Sequence, residues 1–155
     1  MIYFEIMKRY ILIICVFFSV LTPLWAQEGL SINAAFDTQY TRRNGAKEVV
    51  VVNVAVGKAK MTLFKSLTIP LATSESESFE QWVLADEKIA LDTEQGTKNG
   101  RIYYAFMRLP NTKKGLHRYI FYRNDALRKG AAPITTIIYI EGTVTMADLR
   151  KQFSK

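Results

Sequence analysis

The sequence predicts an α+β protein, with a mainly antiparallel sheet of about five strands and helices packed mainly on one face. Three observations carry that expectation. Extended segments come in runs instead of alternating singly with helices, which argues against a doubly wound parallel sheet. Two aromatic segments of period two flank Pro110-Asn111-Thr112-Lys113-Lys114-Gly115, a hairpin pattern. Amphipathic stretches at helical spacing fall near the start, the middle and the end, giving the order α-β-β-α-β-β-β-α.

Residues 1–26 precede this pattern and read as a cleaved secretory signal. Lys8 and Arg9 form a basic start, Tyr10–Leu21 is an apolar run, and Thr22-Pro23-Leu24-Trp25-Ala26 leads to a cut before Gln27. Met7 is the expected start, because it sets the two cations directly after the initiator. An uncleaved anchor needs roughly 20 apolar residues, and Pro23 cuts the run short. A lipoprotein signal at Cys15 lacks the small residue that should precede the cysteine. Cleavage leaves residues 27–155 as a single domain with no stable membrane span. The lone cysteine departs with the signal, so the domain has no disulfide and no thiolate site.

Leu30–Arg43 is expected as one helix, capped by Ser31 or Asn33, with Ile32, Ala35, Phe36 and Tyr40 as its buried stripe. Asn44-Gly45 stops it. Glu48–Val56 is dominated by valine, whose branched carbon suits a pleated sheet. Apolar side chains on both its faces predict a central strand covered on both sides. Met61–Ile69 is a second strand, stopped by Pro70. A second helix is expected over roughly Glu77–Gln95, with Phe79, Trp82, Val83, Ile89 and Ala90 as its stripe and residues 96–100 as a loop. Arg101–Leu109 and His117–Asn124 form the hairpin, and Ile134–Glu141 is a further strand. Thr145 caps a last helix bearing Met146, Leu149 and Phe153.

Chemistry-bearing groups are sparse. The domain holds one histidine, His117, and no cysteine, so a zinc site lacks ligands. Asp92-Thr93-Glu94-Gln95-Gly96 is a poor calcium loop, without a third acid or a closing glutamate. A serine triad would need His117 as its base, at the edge of a turn, and no Gly-x-Ser-x-Gly elbow occurs. No phosphate-cradling glycine loop is present. No metal, no cofactor and no catalytic residue are therefore expected. A paired-carboxylate hydrolase is kept as an alternative, with Glu141 its most suggestive acid.

The net charge is +7 and falls by one when Lys8, Arg9 and Glu5 leave with the signal. Outside the cytoplasm such a surface suits an envelope protein or an anionic glycan, not nucleic acid. The candidate binding residues are Arg101, Tyr103, Arg108, Tyr119, Arg123 and Tyr139, because tyrosine and arginine dominate binding hot spots. A third expectation is pairing through an unprotected sheet edge, with Met61–Ile69 as that edge.

Gly29-Leu30-Ser31-Ile32, Leu63–Leu67, Ile102–Phe106, Arg118–Asn124 and Tyr139–Gly142 also carry a likeness. Across most of residues 28–153 the chain resembles small exported proteins of Bacteroidota that form a domain family of unknown function. The resemblance implies a Gram-negative envelope location, the periplasm first and full secretion second. It brings no active residues with it.

Overall fold

The computed structural model describes residues 29–153, and from Ser31 onward the chain forms one compact unit. The segment read as a signal, residues 1–26, lies outside the described residues. The strands are β1 (Lys47–Val56), β2 (Ala59–Pro70), β3 (Asp92–Lys98), β4 (Arg101–Leu109), β5 (His117–Asn124) and β6 (Ile134–Gly142). The helices are a 3-10 segment (Ser31–Phe36), a single turn α1 (Thr38–Thr41), α2 (Thr73–Glu87) and α3 (Met146–Phe153). A short 3-10 turn, Asp125–Leu127, follows β5.

The six strands make one antiparallel sheet in the order β1-β2-β6-β5-β4-β3. About five had been expected, and the additional one is β3. Its sequence, Asp-Thr-Glu-Gln-Gly-Thr-Lys, has no apolar face. It is a strand because β4 offers it an edge: Leu91 N–H already donates to the Arg108 carbonyl at 2.8 Å, and the ladder then runs from Asp92 opposite Arg108 to Lys98 opposite Arg101. Asn99 (φ 52°) and Gly100 (φ 74°) close the β3–β4 hairpin, as expected of an Asn-Gly turn. The same capture ends α2 at Glu87, well before the Gln95 expected, and leaves Ile89 exposed.

The two-sided valine segment is not a central strand. Among the described residues β1 pairs only with β2 and lies at the edge, where Val49, Val50 and Val52 are 48%, 51% and 59% exposed. Conversely β2, the expected edge, is interior, between β1 and β6. Apolar residues on both faces reflect β-propensity as readily as double coverage.

The first expected helix breaks at Asp37. Its extended backbone and its carboxylate, accepting from Gln39 N–H, end the 3-10 segment and start α1. Ser31 and Asn33 do not cap the 3-10 segment; Asp86 of α2 does, its carboxylate accepting from Ser31 N–H and Ile32 N–H.

Helices cover both faces, unequally. The 3-10 segment and α2 lie over one face, with Ile32, Ala35, Phe79 and Val83 fully buried. The sheet side chains buried on that face are Leu67 and Ile69 of β2, Ala105 and Met107 of β4, Ile120 and Tyr122 of β5, and Ile137 of β6. Among the described residues the opposite face carries only α3. Leu149 packs there with Tyr119, Ile140 and Val144, against Phe64, Phe106 and Ile138. A capping box holds its start, with Asp148 N–H donating to Thr145 Oγ1 and Thr145 N–H to Asp148 Oδ2. The Phe153 side chain lies outside the described set.

Candidate functional site

α3 is too short to roof its face, and the uncovered part is a groove of about 470 Å³. Cross-strand register builds it. Tyr104 and Phe106 of β4 lie beside Arg123 and Phe121 of β5, and Phe121 and Tyr119 lie beside Ile138 and Ile140 of β6. With Leu149 as a wall, the lining is almost wholly apolar. Its aromatics are mutually locked. Tyr104 and Phe121 meet edge to face at 5.6 Å, and Phe106 lies nearly parallel to Tyr119 at 6.0 Å. The polar groups at the rim are Glu94 of β3 and Arg150 of α3, joined at 3.3 Å, both well exposed. A volume of this size lies in the range of small-molecule sites, which are mostly apolar with few polar groups.

The structure divides the six sequence-derived candidates between faces. Arg108, Tyr119 and Arg123 share the groove face. Tyr119 is buried beneath Phe106 with its hydroxyl donating to the Val144 carbonyl at 3.1 Å, and burial pushes its pKa up. Arg123 is exposed and paired with Asp125 at 2.7 Å. The Arg108 Nε is buried without a hydrogen-bond partner among the described residues.

Arg101 and Tyr139 serve the other face. Arg101 clamps the buried Glu80 of α2, Nε to Oε2 at 2.5 Å, while Glu80 Oε1 accepts from Ile102 N–H at 3.1 Å. Tyr139 is buried and donates to Glu141 Oε2 at 2.8 Å. Burial first, then Glu141, raises its pKa. Tyr103, 39% exposed, covers Gly96, where any Cβ would lie 2.5 Å from its ring. The tyrosines therefore do not cluster on one open surface: Tyr119, Tyr122 and Tyr139 are buried and Tyr104 is half-buried.

A bulge explains why the groove was hard to see in the sequence. The β3–β4 register shifts between Gly96 and Thr97, so Tyr103 is an extra residue. Strict alternation groups Ile102 with Tyr104 and Phe106, yet Ile102 buries on the α2 side with its N–H on Glu80. Beyond the bulge, Tyr104, Phe106, Phe121 and Ile138 alternate in step and could have been read together.

Five of the acids have structural partners. Glu75 holds Arg43, Glu80 holds Arg101, Asp125 holds Arg123, and Asp86 and Asp148 cap helical segments. His117 Nδ1 lies 3.1 Å from Asn111 Oδ1 at the hairpin turn. Among the described residues no group of three or more His, Cys, Asp or Glu is placed to hold a metal ion. Also among them, no helix is long and apolar enough to cross a membrane.

The fold and site together define a single α+β domain with an open antiparallel sheet and one apolar groove. The chain belongs to a family of unknown function, DUF6108, whose profile matches residues 19–153. No curated protein and no solved structure matches it.

Proposed function

We propose that this chain is an exported, non-enzymatic binding domain whose site is the groove between β4–β5–β6 and α3. The ligand class is a small amphipathic molecule, with an apolar chain or ring on Phe106, Phe121, Ile138 and Ile140 and a polar end at Arg150. The observation that carries this reading is the composition of the groove. It is a concave apolar surface with interlocked aromatic rings and one charged pair at its mouth. Such a lining suits an apolar body better than the hydroxyls of an anionic glycan. Of the sequence-derived residues, Tyr119 supports the groove floor and Arg108 lends its face positive charge, while Arg123 is neutralised by Asp125. Export rests on the signal-like residues 1–26, with the periplasm as the expected destination.

Two fluorescent dyes test it, the neutral N-phenylnaphthylamine and the anionic naphthalene sulfonate ANS. The folded protein should enhance both, and Phe121→Asp should abolish both while circular dichroism stays unchanged. Arg150→Gln should weaken the anionic dye selectively. Absence of enhancement by the folded wild type, or full retention of it in Phe121→Asp, would refute the groove as a site. Localisation is tested separately, by N-terminal sequencing of the protein recovered from cell fractions. An intact Met1 or Met7 terminus in the cytoplasmic fraction would count against export.

A further inference from the structure

The sheet has two edges, and they are built differently. β3 is the kind of edge proteins use to discourage pairing. It carries Asp92, Glu94 and Lys98, and the bulge at Gly96–Thr97 disrupts its regularity. β1 has neither a charge nor an irregularity over Val49–Val52; its left-handed residue, Asn53 (φ 56°), lies just beyond that run. Val49-Val50-Val51-Val52 runs without interruption, paired to β2 on one side only. Register places Val50 and Val52 beside Lys65 and Leu63 on one face, and Val49 and Val51 beside Ser66 and Phe64 on the other. Three of the four valines are about half exposed or more, on both faces of one edge. An edge strand also presents unpaired backbone N–H and C=O groups, which another strand satisfies.

These features specify the occupant. It must be an extended strand, and it must be apolar on both faces for at least four consecutive residues. Val49–Val52 itself meets that description. We propose that β1 pairs antiparallel with β1 of a second copy of this chain, joining two six-stranded sheets into one across a two-fold axis. With the axis at Val50, Val49 lies beside the copy's Val51 and Glu48 beside Val52, and the pairing ends before the left-handed Asn53. No like charges are brought opposite each other in that register. The assembly closes at two copies, because each β1 is consumed and the outer edges are the charged β3 strands. This pairing does not involve the groove, so either reading can fail alone.

The test is molar mass by sedimentation equilibrium, on protein expressed from the full chain and purified as the host processes it. The wild type should give twice the chain mass at micromolar concentration. Val49→Glu/Val50→Glu should give the single mass with a native circular dichroism spectrum, since Val49 faces Ser66 and Val50 faces Lys65 in the protomer. If that variant is unfolded, Val52→Glu alone is used, at a site 59% exposed. A wild type that stays monomeric up to the highest soluble concentration overturns the proposal. A doubled mass that persists in folded edge variants also overturns it, and its loss in Phe121→Asp would move the contact to the groove.

Discussion

Asp86→Ala should destabilise the domain by severing a link between distant parts of the chain. The Asp86 carboxylate is 3% exposed and accepts two backbone hydrogen bonds, from Ser31 N–H at 2.7 Å and Ile32 N–H at 3.0 Å. Those donors open the 3-10 segment and have no partner within it. A hydrogen bond to a charged acceptor contributes about 1.5–3 kcal/mol. Two bonds on one carboxylate are not independent, and removing the buried carboxylate also removes its desolvation cost, so the net loss should be about 2–4 kcal/mol. For a domain of this size that lowers the melting temperature by roughly 10 °C. Asp86→Asn keeps one acceptor oxygen and should lose about half as much. Urea and thermal melts by circular dichroism give the free energy, and amide chemical shifts of Ser31 and Ile32 report the bonds. A loss in Asp86→Ala below about 0.5 kcal/mol would show that the two bonds contribute no more than water would, and would refute the reasoning.

Other outcomes follow from single contacts. Gly142→Ala should cost at least about 2 kcal/mol, because its Cβ would overlap the Lys60 carbonyl oxygen, a backbone atom that cannot swing aside; a wild-type urea midpoint would contradict this. Burial pushes the Tyr122 hydroxyl up to about 12 from an ordinary 10.0. Its folded-state pKa is raised, so its contribution is complete below pH 10 and is lost as pH climbs towards 12, on the order of 2–3 kcal/mol. Tyr122→Phe should change neutral-pH stability little, since that hydroxyl has no hydrogen-bond partner among the described residues, and should flatten the alkaline loss; an unchanged alkaline slope would count against Tyr122 as its source.

Legibility in the sequence followed the locality of the determinants. The β4–β5 hairpin was readable because its turn residues and its period-two strands are contiguous, and its bounds coincide with those expected. The α3 capping box was readable for the same reason, from Thr145 and Asp148 alone. β3 was not recognised from its side chains, because its strandedness comes from the β4 backbone. Asn99-Gly100 was the local signal that could have revealed it. The position of β1 was misjudged because side-chain type reports propensity, whereas strand order is set by which neighbours pair. The groove was half legible. Its aromatics belong to the hairpin, but the bulge at Tyr103 and the placement of α3 decide which of them line it.

The thin roof over the groove has a dynamic consequence. At eight residues, α3 is shorter than the roughly 12–15 residues an isolated helix needs in water, so its helicity depends on docking. It docks through Leu149 on Tyr119 and Ile140, while the exposed Arg150–Glu94 pair adds little. Asp148, held below the usual carboxylate range by its hydrogen bonds to Thr145, loosens the cap when it is protonated in acid. The helix should therefore open as a sub-global unit, its amides exchanging with solvent far faster than those of Ile120 or Ile137 in the sheet centre. Each opening uncovers Leu149 and enlarges the groove, so the volume of about 470 Å³ is that of the closed form. A ligand too large for it can enter by spending only the small free energy of undocking one short helix.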